Sequence, residues 1–208
     1  MISKFINLLI SIIRVIILLG VFMKVIDFNF RDIDKMIIQL DDVKLLDKVD
    51  LKLDVPYYGV IYIDHEKGIS LRILGDENNN LIVGVPYILR YDDIKKIEVV
   101  EVEDYKNKEL VLKMLDPYYS DSHIIDIRKI VELDKFRLRS NPDTVLVNFN
   151  KDNDTEQMWC RVMGSTSDGL VCGLLTDSNL FDNLVRGTNI MAKVSDNEEL
   201  TCIGRIDL

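Results

Sequence analysis

Between Val145 and Ile206 the chain repeats one short pattern, in which a few apolar, mostly β-branched or aromatic residues are followed by a polar turn rich in Gly, Asp, Asn or Ser. The apolar runs occupy residues 145–149, 158–163, 170–175, 190–194 and 200–206, with glycines at 164, 169 and 187 among the turns. Runs this short are below the length of an ordinary core helix, and they recur at the spacing of successive strands. Residues 141–208 are therefore expected to form a small β-rich domain, a sandwich or an open barrel. Trp159 is expected to be its structural core anchor, since large aromatic residues are heavily buried on average.

Upstream, residues 30–48 place Phe30, Ile33, Ile37 and Leu40 on one helical face with Asp32, Asp34, Asp41 and Asp42 largely outside it, which predicts an amphipathic helix. Residues 49–54 alternate as a half-buried strand does, and Pro56 ends it. Two β-rich runs, 58–63 and 69–74, flank Asp64-His65-Glu66-Lys67-Gly68, a hairpin loop with glycine where a positive φ is commonly required. A turn at 75–80 and further runs at 81–89, 94–102 and 110–115 extend this to an antiparallel meander. Residues 123–136 fit a helix or a strand equally. Short strands followed by one helix also resemble pleckstrin-like sandwiches, an analogy of fold alone.

The first 27 residues differ from all the rest. Residues 5–26, from Phe5 to Ile26, are apolar except for Asn7, Ser11, Arg14, Gly20 and Lys24. The Leu, Ile, Val and Phe side chains between Phe5 and Phe22 favour membrane insertion by about 6 kcal/mol, against roughly 3 kcal/mol for Arg14 near the centre and a further penalty for Asn7 and Ser11. Ser3, Lys4, Asn7, Ser11 and Arg14 share one helical stripe. The segment reads as a membrane anchor or interfacial helix, or else as a buried helix with Arg14 at its rim. Lys24-Val25-Ile26-Asp27 lacks the small residues of a signal cleavage site, and Met23 offers an alternative start.

The expected fold class is thus α+β, with N-terminal helices followed by two small antiparallel β-rich domains, a meander or sandwich and then a small open barrel. The expected segments are 1–27, 28–54, 55–140 and 141–208.

The formal net charge is −9, and because the first 27 residues contribute +2, residues 28–208 carry −11. Nucleic acid is excluded as a partner, since no basic face exists to displace phosphate counterions. An acidic body suits a basic protein partner approached by electrostatic steering. Cys160, Cys172 and Cys202 have neither metal-finger nor redox spacing, so they read as reduced, buried thiols of a cytoplasmic body.

The chain carries few residue patterns suited to catalysis or metal binding. His65 and His123 are the only histidines, and the pair His123 and Asp126 reads as a surface pair. Residues 164–169 have the glycine spacing of a phosphate loop, but Leu170-Val171 stand where Lys and Ser or Thr are needed. Asn150, Asp152, Asp154 and Glu156 alternate like a calcium loop without its central glycine, and Arg161 replaces the closing glutamate. The acidic pairs at Asp92-Asp93 and Glu101/Glu103 support no acid/base assignment. The chain is expected to carry no catalytic residue, cofactor or metal.

Glu156-Gln157-Met158-Trp159, then Asp168-Gly169-Leu170-Val171-Cys172-Gly173-Leu174-Leu175, and later Gly187-Thr188-Asn189-Ile190 together resemble the small YegJ-like bacterial domains of uncharacterised function. The likeness covers about a third of the chain. It departs from the family at Thr176-Asp177-Ser178, where an Asn-x-Pro is usual, and at 202–205, where a tryptophan is usual. Related small domains are similar to immunity-type proteins, so the resemblance implies a non-enzymatic protein-binding module that neutralises a toxin. Asp152, Asp154, Glu156 and Asp168 are the candidate partner-binding residues. The competing expectation is a membrane-anchored accessory or scaffold protein with a cytoplasmic β-rich body.

Overall fold

The computed structural model describes residues 23–40, 57–76, 87–151 and 154–206. The apolar stretch 5–22, the expected strand 49–54, the turn 77–80 with residues 81–86, and Asp152 lie outside the described residues. The chain divides into two compact units, one of residues 1–61 and 71–108 and the other of residues 62–70 and 109–208.

The second unit is built around a closed five-stranded barrel. Its strands are β7 (Asn141–Lys151), β8 (Asp154–Ser165), β9 (Leu170–Leu174), β10 (Asn189–Val194) and β11 (Leu200–Arg205). Each pairs antiparallel with the next, as in Val145 with Cys160, Val162 with Cys172, and Ile190 with Arg205. With an odd number of alternating strands, first and last run the same way. The seam is accordingly a parallel contact of β11 with β7, at Thr201 and Asn148. That contact turns the expected open barrel into a closed one and removes the free edges that an open sheet would expose.

Alternation sends Val145, Val147 and Phe149, then Met158, Cys160 and Val162, then Leu170, Cys172 and Leu174, into one core with Ile190 and Leu200. Burying each larger aliphatic side chain contributes about 1.5 to 3 kcal/mol. The register shifts between Val162 and Gly164 and between Met191 and Ala192. Such bulges increase local twist and bend, which a small barrel needs in order to close. A short strand β6 (Arg137–Leu138) adds to β7.

In the rest of the unit, a helix replaces one expected strand, and the segment that fitted either state is helical. Residues 110–115 belong to helix α3 (Lys108–Leu115), in which Val111 and Leu115, four apart, are buried while Leu110 is exposed. That is a helical period, and the apolar run alone did not disclose it. Residues 123–136 become helix α4 (Ser122–Arg128) and a 3-10 turn at Val131–Phe136. Asp121 caps α4 by accepting from the His123 and Ile124 amides.

In the first unit, the expected amphipathic helix over 30–48 is corrected. Among the described residues of that span, 30–40, α1 (Phe30–Ile33) alone is helical, and after a turn at Asp34-Lys35 the chain enters β1 (Ile37–Leu40). The cause is tertiary: β1 lies between β2 (Tyr57–Asp64) and β5 (Val100–Glu101), pairing Ile37 with Val60 and Ile38 with Glu101. With β3 (Gly68–Asp76) and β4 (Ile88–Arg90) the sheet order is β4-β3-β2-β1-β5. The expected strand 94–102 reduces to β5, preceded by α2 (Tyr91–Ile94). Residues 23–26 run beside 95–99, through Val25 N to Ile97 O at 3.2 Å and Val99 N to Met23 O at 2.9 Å, so the expected N-terminal helix does not extend to Ile26. Among the described residues no helix is long and apolar enough to cross a membrane.

The hairpin between β2 and β3 is formed as expected. Asp64 Oδ1 accepts from the Glu66 and Lys67 amides, and Gly68 turns the chain at φ +79°. A Cβ on Gly68 would lie 2.1 Å from the Ser140 carbonyl oxygen, whereas Gly187, at φ +87°, has nothing within 4 Å. Gly68→Ala is therefore expected to cost clearly more stability in urea denaturation than Gly187→Ala, whose penalty is that of a left-handed backbone alone, about 1 to 2 kcal/mol. Equal losses would refute the close approach.

Candidate functional site

The most highly built polar arrangement in the second unit starts at Arg128, the last residue of α4. Its Nε donates to Asp143 Oδ1 at 2.9 Å and its Nη2 to Asp143 Oδ2 at 2.6 Å, a bidentate pair. Both side chains are buried, 6 % and 2 % exposed. The same Nη2 reaches the Ile63 carbonyl at 3.4 Å, and the guanidinium lies 5.5 Å from the centre of the Tyr119 ring. Tyr119 in turn accepts from the Ile63 amide at 3.2 Å. One ion pair thus holds together α4, the start of β7 and the β2–β3 hairpin tip.

His65 at that tip completes the set, with Nδ1 3.0 Å from Asp143 Oδ2. A carboxylate only accepts, so the bond places a proton on Nδ1, on a side chain 33 % exposed. Asn141 adds a further tie, donating to the Glu66 carbonyl and accepting from the Asp143 amide. Burial acts to raise the Asp143 pKa, but the hydrogen bonds from Arg128 and His65, with their charges, outweigh it and hold that carboxyl below the usual carboxylate range.

From the hairpin tip the arrangement passes to the outer wall of the barrel. Arg161 on β8 donates Nη2 to the Glu66 carbonyl at 3.2 Å. Its Nε is shielded from solvent and has no acceptor among the described residues, and neither has the hydroxyl of Thr144, its cross-strand neighbour. An unmet buried donor costs about 1 to 3 kcal/mol. On either side along β8 stand Trp159, 36 % exposed, and Met163, 46 % exposed.

This placement corrects the expectation that Trp159 anchors the core. Met158, Cys160 and Val162 face inward, and period-two alternation turns Trp159 out, opposite the partly exposed Leu146 of β7. The alternation was present in the sequence, but tryptophan's average burial outweighed it.

The expected acidic partner-binding residues do not form one cluster. Asp152 lies outside the described residues, Asp154 opens β8, and Asp168 stands exposed in the turn beyond the far end of the same strand. Glu156 is engaged internally. It accepts from the Ser178 hydroxyl at 2.5 Å, the Asn179 amide at 2.9 Å and the Leu180 amide at 3.3 Å, which staples the β9–β10 loop and keeps its pKa low. His123 and Asp126 make no site, since Asp126 pairs with Lys129 at 2.7 Å. Among the described residues no group of three or more His, Cys, Asp or Glu is placed to hold a metal ion.

Arg128, Asp143 and Arg161 carry no local sequence signal, because the residues they join are 15 to 95 positions apart in the chain. Of the three cysteines expected as buried thiols, two are buried and Cys202 is not. Cys160 and Cys172 are buried free thiols, and burial pushes Cys172 up to about 12 and Cys160 higher still, while Cys202 is partly exposed. In the native protein at neutral pH a thiol reagent is expected to label Cys202 first, with Cys160 and Cys172 reacting only after denaturation. Rapid native labelling of all three would contradict the sealed barrel.

Asp143→Asn is expected to destabilise the fold by about 3 to 5 kcal/mol, since it leaves the Arg128 charge buried without its counter-ion. The lowered Asp143 pKa also sets a sign. Its contribution is present above the ordinary carboxylate value of about 3.9 and is lost as pH falls through the lower folded value. Stability measured from pH 5 down to pH 2 should therefore fall less steeply in Asp143→Asn than in the wild type.

No protein-family model, no curated protein and no solved structure matches the chain.

Proposed function

We propose that the protein is a non-enzymatic protein-binding module whose binding face is the outer barrel wall around Trp159. The observation that carries this reading is the exposure of Trp159 and Met163 on a strand whose other face is fully packed, with a fixed arginine between them. Tryptophan and arginine are the residue types that most often dominate binding energy at protein interfaces. A closed barrel presents them on a rigid surface, so little ordering entropy opposes association.

Toxin neutralisation of the immunity type is the specific form of this reading. Its support is the YegJ-like resemblance of the last third and the net charge of −9, which favours approach by a basic protein. A membrane-anchored accessory protein is the second reading, supported by the apolar composition of residues 5–26. Recovery of the full-length chain entirely in a detergent-free soluble fraction would eliminate it.

Trp159→Ala is expected to change folding stability by no more than about 1 kcal/mol, yet to weaken capture of the native partner by about 2 kcal/mol or more. Cross-linking and quantitative co-purification from the source cell, with wild type and variant side by side, measure this. A partner retained equally by both would refute the Trp159 face.

A further inference from the structure

Between the strand ends, no outward-facing position on β7, β8, β9 or β10 is acidic, and the charged ones are Arg161 and Lys193. The chain as a whole has 35 acidic and 26 basic side chains, so this wall runs against its own composition. The carboxylates sit instead in loops and at strand ends, as Asp154, Asp168 and Glu156 do, the last with its oxygens committed to residues 178–180.

We infer that this wall takes a segment of a partner protein bearing one carboxylate between apolar side chains, the carboxylate meeting Arg161 and the apolar groups meeting Trp159 and Met163. The inference rests on the protein-binding reading above. A partner that covered Trp159 and Met163 would also remove Arg161 from water. The guanidinium has one carbonyl acceptor, at Glu66, and no carboxylate partner among the described residues. A wholly apolar partner would leave that charge buried and unpaired, which is strongly unfavourable. A basic segment would meet like charge at Arg161 and Lys193. A carboxylate suits the planar fork of N–H donors, and the bond to Glu66 already fixes the arginine in place. The overall negative charge opposes a polyacidic segment, which selects a single carboxylate with apolar flanks.

Trp159 is the only tryptophan, so its emission reports on this wall alone. Peptides are selected on the full-length chain from a random display library, synthesised, and titrated by tryptophan fluorescence. The expected result is enrichment of an Asp or Glu flanked by apolar residues, with binding that shifts Trp159 emission. Affinity should fall about tenfold or more in Arg161→Gln, or when the peptide carboxylate becomes an amide, with partial retention in Arg161→Lys. Urea midpoints of the variants, matched to wild type, separate this from misfolding.

Enriched peptides that shift Trp159 emission but carry no acidic residue, or that bind Arg161→Gln unchanged, overturn the carboxylate inference and leave the protein-binding reading intact. Enriched peptides that leave Trp159 emission unmoved overturn the binding face itself. A shift produced by phosphatidylserine vesicles, with no peptide enriched, overturns both in favour of a lipid surface.

Discussion

Arg128 and Asp143 form the bond on which the arrangement of the second unit turns. Neither charge has access to water, and desolvating such a pair costs several kcal/mol per ion before their attraction is counted. The pair is sustained by the contacts gathered around it: two parallel hydrogen bonds, the Ile63 carbonyl, the Tyr119 ring and the His65 imidazole. The elements so joined come from three distant stretches of chain. Apolar replacement of such pairs is often neutral or stabilising, whereas removing one partner alone leaves a buried charge unpaired and is strongly destabilising.

The consequence reaches the barrel surface. With the hairpin tip held against β7, the Glu66 carbonyl lies where Arg161 can use it, and Arg161 is held between Trp159 and Met163. A second arginine works in the same region. Arg137 donates to the Pro142 and Ile127 carbonyls and to Asp134, which ties β6 to the approach of β7. Two buried arginines thus set the backbone positions on which the outer wall is built. The wall itself contributes little to the core, which leaves its side chains available for recognition.

The legible and illegible parts of the sequence divide along a physical line. In the last third, strands 145–149, 158–163, 170–175, 190–194 and 200–206 were readable because alternation, β-branching and glycine turns are local signals that agree with one another, and the structure follows them. The hairpin at Asp64–Gly68 was readable for the same reason. Residues 34–40 were not, because Ile33 and Ile37 satisfy a helical period while their final state depends on pairing with β2 and β5. Residues 110–115 erred in the opposite direction, as five apolar residues around Lys113 fit a short strand and a helix turn alike.

By itself the sequence determined that the last third of the chain is rich in short strands and carries three cysteines without a metal-finger pattern, because each of those properties is written in neighbouring residues. Only the tertiary structure decided that the barrel closes, that Trp159 faces outward, and that Arg128, Asp143, His65 and Arg161 form one connected arrangement. Strand closure and buried charge pairing are contacts between residues far apart in the chain, and their energies arise when folding removes both partners from water.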